Sequence, residues 1–261
     1  LSSLPARRAV ASGLFSALNA RGRFATPVLT YRSMTLQDFQ ASVDLSGRIL
    51  ELSGASFRAG GGHGAGRARL DLTASPAIIS GEVTVAGLKM QALASRLPGA
   101  LHKSRGLISG TARFETRGLS RSEMSANLKA TGSARLERIA LGEFDPLQAL
   151  ARYTCWGGLT PSHSEVTMRA ADISFDVRER KVSVVNQPIQ VEGARLTLSG
   201  NWEFNGPLEL DVSADLRRIT RSWMAGGSQE AATSRLATVH LAGPFDQITV
   251  RSGGTAAQAR R

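Results

Sequence analysis

Apolar and polar residues alternate with a period of two along most of this chain. Residues 66–72 read Gly-Arg-Ala-Arg-Leu-Asp-Leu, residues 81–87 read Gly-Glu-Val-Thr-Val-Ala-Gly, and residues 195–204 read Arg-Leu-Thr-Leu-Ser-Gly-Asn-Trp-Glu-Phe. Successive side chains of a strand point to opposite faces, so each stretch gathers its apolar residues on one side, as in an antiparallel sheet buried on one face only. The same alternation predicts strands over 43–52, 107–115, 126–141, 166–177, 182–185, 208–216, 237–241 and 248–250. The chain therefore reads as mainly β, a long curled antiparallel sheet, groove- or taco-like, with a few short helices.

A short signature recurs inside these strands: an apolar residue, then Ser or Ala, then Gly. It occurs as Leu45-Ser46-Gly47, Leu52-Ser53-Gly54, Ile79-Ser80-Gly81, Ile108-Ser109-Gly110, Leu198-Ser199-Gly200 and Leu241-Ala242-Gly243. Glycine weakens a strand interior, so its repeated placement points to bulges that curl the sheet, or to a close approach to the backbone. The spacing is too irregular for a propeller or a strict solenoid.

Four helical patterns interrupt the strands. Met90, Leu93 and Leu97 share a face before Pro98-Gly99; Asp145-Pro146 begins a second pattern through Leu147, Leu150 and Ala151. Leu216, Ile219 and Trp223 form a third, closed by Gly226-Gly227, and Val10, Leu14, Ala17 and Leu18 a fourth near the start. These helices are too short and too few to cover so much sheet, so something else must cover the apolar face.

Length and composition add bounds. The 261 residues fit one continuous β unit, and a chain opening on Leu1 reads as a fragment. No run approaches the roughly 20 apolar residues of a membrane-spanning helix, and no signal-sequence pattern opens the chain. A net charge of +11 invites a nucleic-acid reading. Only Lys89, Lys103, Lys129 and Lys181 are lysines, however, and most of the arginines sit singly at alternating strand positions, as in Arg67-Ala68-Arg69. They read as a solvated or phosphate-facing strand surface, and nucleic acid is not an expected partner.

Catalytic chemistry finds no purchase. Cys155 is the single cysteine, which excludes an internal disulfide, and beside Trp156 it reads as a small buried hydrophobe. His63, His102, His163 and His240 are scattered without metal-ligand spacing. The run from Gly60 to Gly66 around His63 matches neither a dinucleotide nor a P-loop fingerprint and reads as a flexible turn. No serine sits in a nucleophile elbow, and no carboxylate pair is placed for acid–base work. The expectation is a non-enzyme with no catalytic residue, no metal and no cofactor.

Residues 132–147, Gly-Ser-Ala-Arg-Leu-Glu-Arg-Ile-Ala-Leu-Gly-Glu-Phe-Asp-Pro-Leu, resemble the segment of AsmA-type proteins in which a strand leads through a tight turn to a second short strand and a helix start. Glu137-Arg138 stands where the family usually has an Asp-Gly turn. Residues 165–212 resemble the following block, from Asp172-Ile173-Ser174-Phe175 through Leu196-Thr197-Leu198-Ser199-Gly200 to Leu208-Glu209-Leu210-Asp211-Val212. The stretch Val239-His240-Leu241-Ala242-Gly243-Pro244-Phe245-Asp246 is similar to the family's final strand and turn. On this resemblance residues 101–261 form an AsmA-like C-terminal region, and residues 1–100 a β-rich segment with an N-terminal helix that continues the same sheet.

The resemblance implies a periplasm-facing protein held in the bacterial inner membrane by a segment outside this chain. It also implies kinship with bridge-like lipid transfer proteins and a role in phospholipid transport or outer-membrane assembly. The groove would be lined by Leu70, Leu72, Val83, Val85, Ala112, Phe114, Leu196, Leu198, Trp202, Phe204, Leu208, Leu210, Val212, Val239 and Leu241, with phospholipid acyl chains as partners. The competing expectation is that these residues fill a sandwich core against a facing sheet. Arg217, Arg218 and Arg221, on the third helical pattern, are candidates for lipid head-group phosphates by bidentate hydrogen bonds, or else ordinary solvated charges. A function of another class, an envelope scaffold whose sheet edges recruit partner proteins, fits the same strands.

Overall fold

In a computed structural model of the chain, the described residues are 18–31, 34–92, 103–140, 167–191, 194–204, 206–215, 236–244 and 249–253. They form thirteen strands. The first seven are β1 (Ala20–Tyr31), β2 (Met34–Ser46), β3 (Ile49–Ala59), β4 (Gly62–Asp71), β5 (Ile78–Lys89), β6 (Arg105–Arg117) and β7 (Lys129–Ala140). Then come β8 (Thr167–Arg178), β9 (Lys181–Val191), β10 (Ala194–Glu203), β11 (Leu208–Asp215), β12 (Leu236–Gly243) and β13 (Thr249–Gly253). All thirteen belong to one antiparallel sheet in which spatial order equals chain order, with β1 and β13 as its edges, so the sheet does not close into a barrel. A mainly β, open sheet with little helix is the architecture that the alternation predicts.

The turns explain how so long a meander is built. Gly47-Arg48, Gly60-Gly61 and Glu179-Arg180 are two-residue connections in which both residues have positive φ, the geometry whose twist matches antiparallel strands. Residues 43–52, expected as one strand, are therefore two, with Gly47-Arg48 between them. Of the glycine-rich run around His63, only Gly60 and Gly61 turn; Gly62 to Gly66 are strand. The strand expected over 182–185 continues to Val191, and β1 together with the first half of β2 forms where no strand was expected.

Bulges shape the sheet, but of the six recurring glycines only Gly54 lies in one; Gly47 is in a turn, Gly81 pairs in regular register, and Gly110 and Gly200 face bulges on the neighbouring strand. Register shifts fall beside Asp38 in β2, Gly54 in β3, Gly87 in β5 and Asn186 in β9, each at positive φ. Such insertions bend a strand and raise its twist, which is how an open sheet curls. The serines of the recurring signature hold two of them. Ser109 Oγ on β6 accepts from the Gly87 N–H at 3.0 Å, and Ser199 Oγ on β10 accepts from the Asn186 N–H at 2.9 Å. Glu137-Arg138 is another departure from expectation: Arg138 has φ 51° but lies within the continuous strand β7, so this is an irregularity inside a strand and not a hairpin turn.

One helix, α1 (Arg121–Asn127), lies among the described residues. It covers the start of the strand expected over 126–141. Ser120 caps it, its Oγ accepting from Glu123 N–H while the Glu123 carboxylate accepts from Ser120 N–H, a capping box that satisfies two otherwise orphaned donors. Thr116, buried on β6, donates to the Met124 carbonyl at 2.7 Å and ties the helix to the sheet. Of the first expected helix, Met90 to Ala92 form a single 3₁₀ turn. The patterns over 145–151 and 216–223, and all but Leu18 of the fourth, lie outside the described residues.

Candidate functional site: the apolar face of the sheet

Cross-strand partners share a face, so the register reads out what each face carries. One row runs Gly22, Val43, Leu52, Ala68, Gly81, Phe114, Ala130, Val177, Val182, Trp202, Leu208, Gly243, one residue from each of twelve strands and none polar. At about 4.8 Å per strand the row follows roughly 50 Å of sheet. Beside it lie Gly66, Val83, Ala112, Gly132 and Phe175, and then Gly64, Val85, Gly110, Ala134 and Ile173.

Three glycines of these rows stand opposite phenylalanines for a steric reason. Phe57, Phe114 and Phe175 are each the register partner of a glycine, Gly64, Gly81 and Gly132 respectively. A methyl group at Gly81 would stand 2.7 Å from Cζ of Phe114, one at Gly132 2.6 Å from Cζ of Phe175, and one at Gly64 would collide with the Phe57 ring. The tip of each ring reaches over the bare backbone of its glycine partner and covers it.

All the sequence-predicted lining residues within these strands fall on this one face, but they divide by burial. Leu196, Leu208, Val212, Val239 and Leu241 are buried and belong to a core cluster with Ile139, Val191 and Ala214. These five form the packed part of that face. Leu70, Val83, Val85, Ala112 and Phe114 are half-buried. Leu198, Trp202 and Leu210 are also half-buried and pack against the core. Leu72 and Phe204 lie one residue past the ends of β4 and β10, where their N–H groups donate to the Arg48 and Arg180 carbonyls. Arg217, Arg218 and Arg221 lie outside the described residues. Leu52, Ala68, Phe57, Phe175 and the glycine floor were missed, because alternation assigns a face but not which neighbour stands opposite.

The other face is polar and laced with ion pairs between strands. Glu82 on β5 takes Arg67 of β4 at 2.9 Å and Arg113 of β6 at 3.5 Å; Glu51 takes Arg69 at 2.6 Å, and Asp172 takes Arg135 at 3.1 Å. The hydrogen bond from Arg67 is the largest effect on the Glu82 carboxyl; desolvation opposes it, and with the charges of Arg113 and Arg67 the balance holds the carboxyl below the ordinary range. The Thr73 hydroxyl and N–H do the same for Asp71. Glu137 and Asp172 raise Arg135. Arg21, Arg58, Arg67, Arg69, Arg113, Arg135 and Arg178 are thus each engaged by a carboxylate of the sheet.

Among the described residues no group of three or more His, Cys, Asp and Glu side chains is placed to hold a metal ion, and no helix is long and apolar enough to cross a membrane. His240 Nδ1 lies 2.9 Å from Asp211 on the polar face, and His63 is exposed. Cys155, His102 and His163 lie outside the described residues. Comparison of the chain with family models, with curated proteins and with solved structures gives no match.

Proposed function

We propose that this chain is a non-catalytic, lipid-handling protein of the bacterial envelope, in which the half-buried apolar face of β3 to β8 takes phospholipid acyl chains. The observation that carries this reading is the unbroken apolar row across twelve strands, eight of its twelve residues only partly buried. Water gains about 25 cal/mol for each Å² of such surface that an aliphatic chain covers. The small residues Gly66, Ala68 and Ala112 leave a chain room to lie along the face, and the resemblance to AsmA-type proteins over residues 101–250 supports the same reading. On it, the protein faces the periplasm and is anchored in the inner membrane by a segment outside these residues, with transport of phospholipid or outer-membrane assembly as its role.

Lipid extraction tests this directly. The chain purified from a bacterial host should yield phospholipid by mass spectrometry well above a matched control protein. Ala112→Trp, which raises the floor, should lower the yield several-fold, while Thr111→Glu on the opposite face should not. Folded protein carrying only background lipid would overturn the reading.

A further inference from the structure

Among the described residues the sheet has one long edge without a neighbour, and its side chains state what would pair with it. β1 offers twelve residues and, among the described residues, has a neighbour on one side only. Three of the five large apolar side chains that are exposed among the described residues lie there or just before it: Leu18, Phe24 at 46% and Val28 at 54%. Phe24 shares the apolar face with Gly22, where an interior strand would have neighbours on both sides.

The polar face carries the second half of the argument. In the interior, Glu82 of β5 lies between Arg67 and Arg113 of the strands that flank it, so one carboxylate is held by a guanidinium on either side. Arg21 finds such a partner in Asp44 of β2, but Arg23 stands opposite Ser42, which has no charge to offer. We propose that the outer edge of β1 binds an extended antiparallel strand of a protein partner, one that alternates apolar residues with carboxylates. The apolar residues would flank Gly22 and Phe24, and the carboxylates Arg21 and Arg23. Backbone pairing supplies the affinity and the alternate side chains the selectivity. Pro27 has no N–H to give, so the edge offered runs over residues 20–26. A strand like β13 is a poor fit, because its Arg251 would meet the arginines of β1.

The probe is a labelled nine-residue peptide alternating valine and glutamate, beside the same peptide with lysine for glutamate. Fluorescence anisotropy on the full chain should show the glutamate peptide binding at least tenfold more tightly. Amide hydrogen exchange should slow over residues 20–26, and Arg23→Glu, an exposed change that leaves the fold intact, should weaken binding at least tenfold. No binding, equal binding of the two peptides, or protection at β13 alone would overturn the proposal. So would a concentration-dependent dimer protected at β1, which would put a second copy on this edge. None of these readouts involves lipid, so they stand or fall apart from the lipid-handling reading.

Discussion

The ring of Phe114 lies across the backbone of Gly81, its register partner on the neighbouring strand. The pairing recurs between Phe57 and Gly64 and between Phe175 and Gly132, always on the apolar face and always across one strand boundary. Glycine costs a strand conformational entropy, and the covering ring returns apolar contact to the bare backbone beneath it. The same arrangement makes the face smooth, since the ring occupies the space that a side chain opposite would have taken.

Gly81→Ala should therefore destabilise the protein by roughly 1–3 kcal/mol, because the new methyl meets both the Phe114 ring and the Arg67 carbonyl oxygen at 2.6 Å. Gly22→Ala, with nothing within 4 Å, should stay within about 1 kcal/mol of wild type and on the stable side. Urea denaturation of the two variants checks this. Equal effects would remove the ring-over-glycine account.

The turn Glu179-Arg180 places two ordinary residues at φ 51° and 64°, where the side chain costs about 1 kcal/mol or more. Arg180→Gly should raise stability by about 0.5–1 kcal/mol, and Arg180→Val, branched at Cβ, should lower it by a similar amount. Thermal unfolding of the pair would show the opposite signs, and a destabilised glycine variant would contradict the argument.

Ser109→Ala should cost about 0.5–1.5 kcal/mol, since the partly buried Gly87 N–H loses its acceptor at the β5 bulge. Ser133→Ala, exposed on the polar face, should remain within about 0.5 kcal/mol. The sharper measurement is amide exchange at Gly87, which should quicken in the first variant alone.

Glu82 titrates below the ordinary glutamate range in the folded protein, so its contribution to stability is complete above that range and is lost as pH falls through the lowered value. Wild type should be more stable than Glu82→Gln at neutral pH, and the two should converge on acidification. Because the arginines are largely exposed, added salt should narrow the neutral gap. Thermal midpoints measured across the acid range decide it, and a gap that persisted below the lowered value would sink the assignment.

The sequence by itself determined the class of fold and the membership of each face. Alternation is a local property, and Leu70, Val83, Phe114, Leu198 and Trp202 could be assigned to one side from their immediate neighbours alone. What stands opposite what was decided only in the folded sheet. The register depends on where each turn falls and on the extra residues at Gly54, Gly87 and Asn186, and moving a strand by one position exchanges its faces. That is why the Phe–Gly pairs could not be read beforehand. It is also why Leu208 and Leu241, identical in pattern to Leu70, proved to be buried core while Leu70 stayed half-exposed: burial is set by everything packed nearby in space, which no local period encodes.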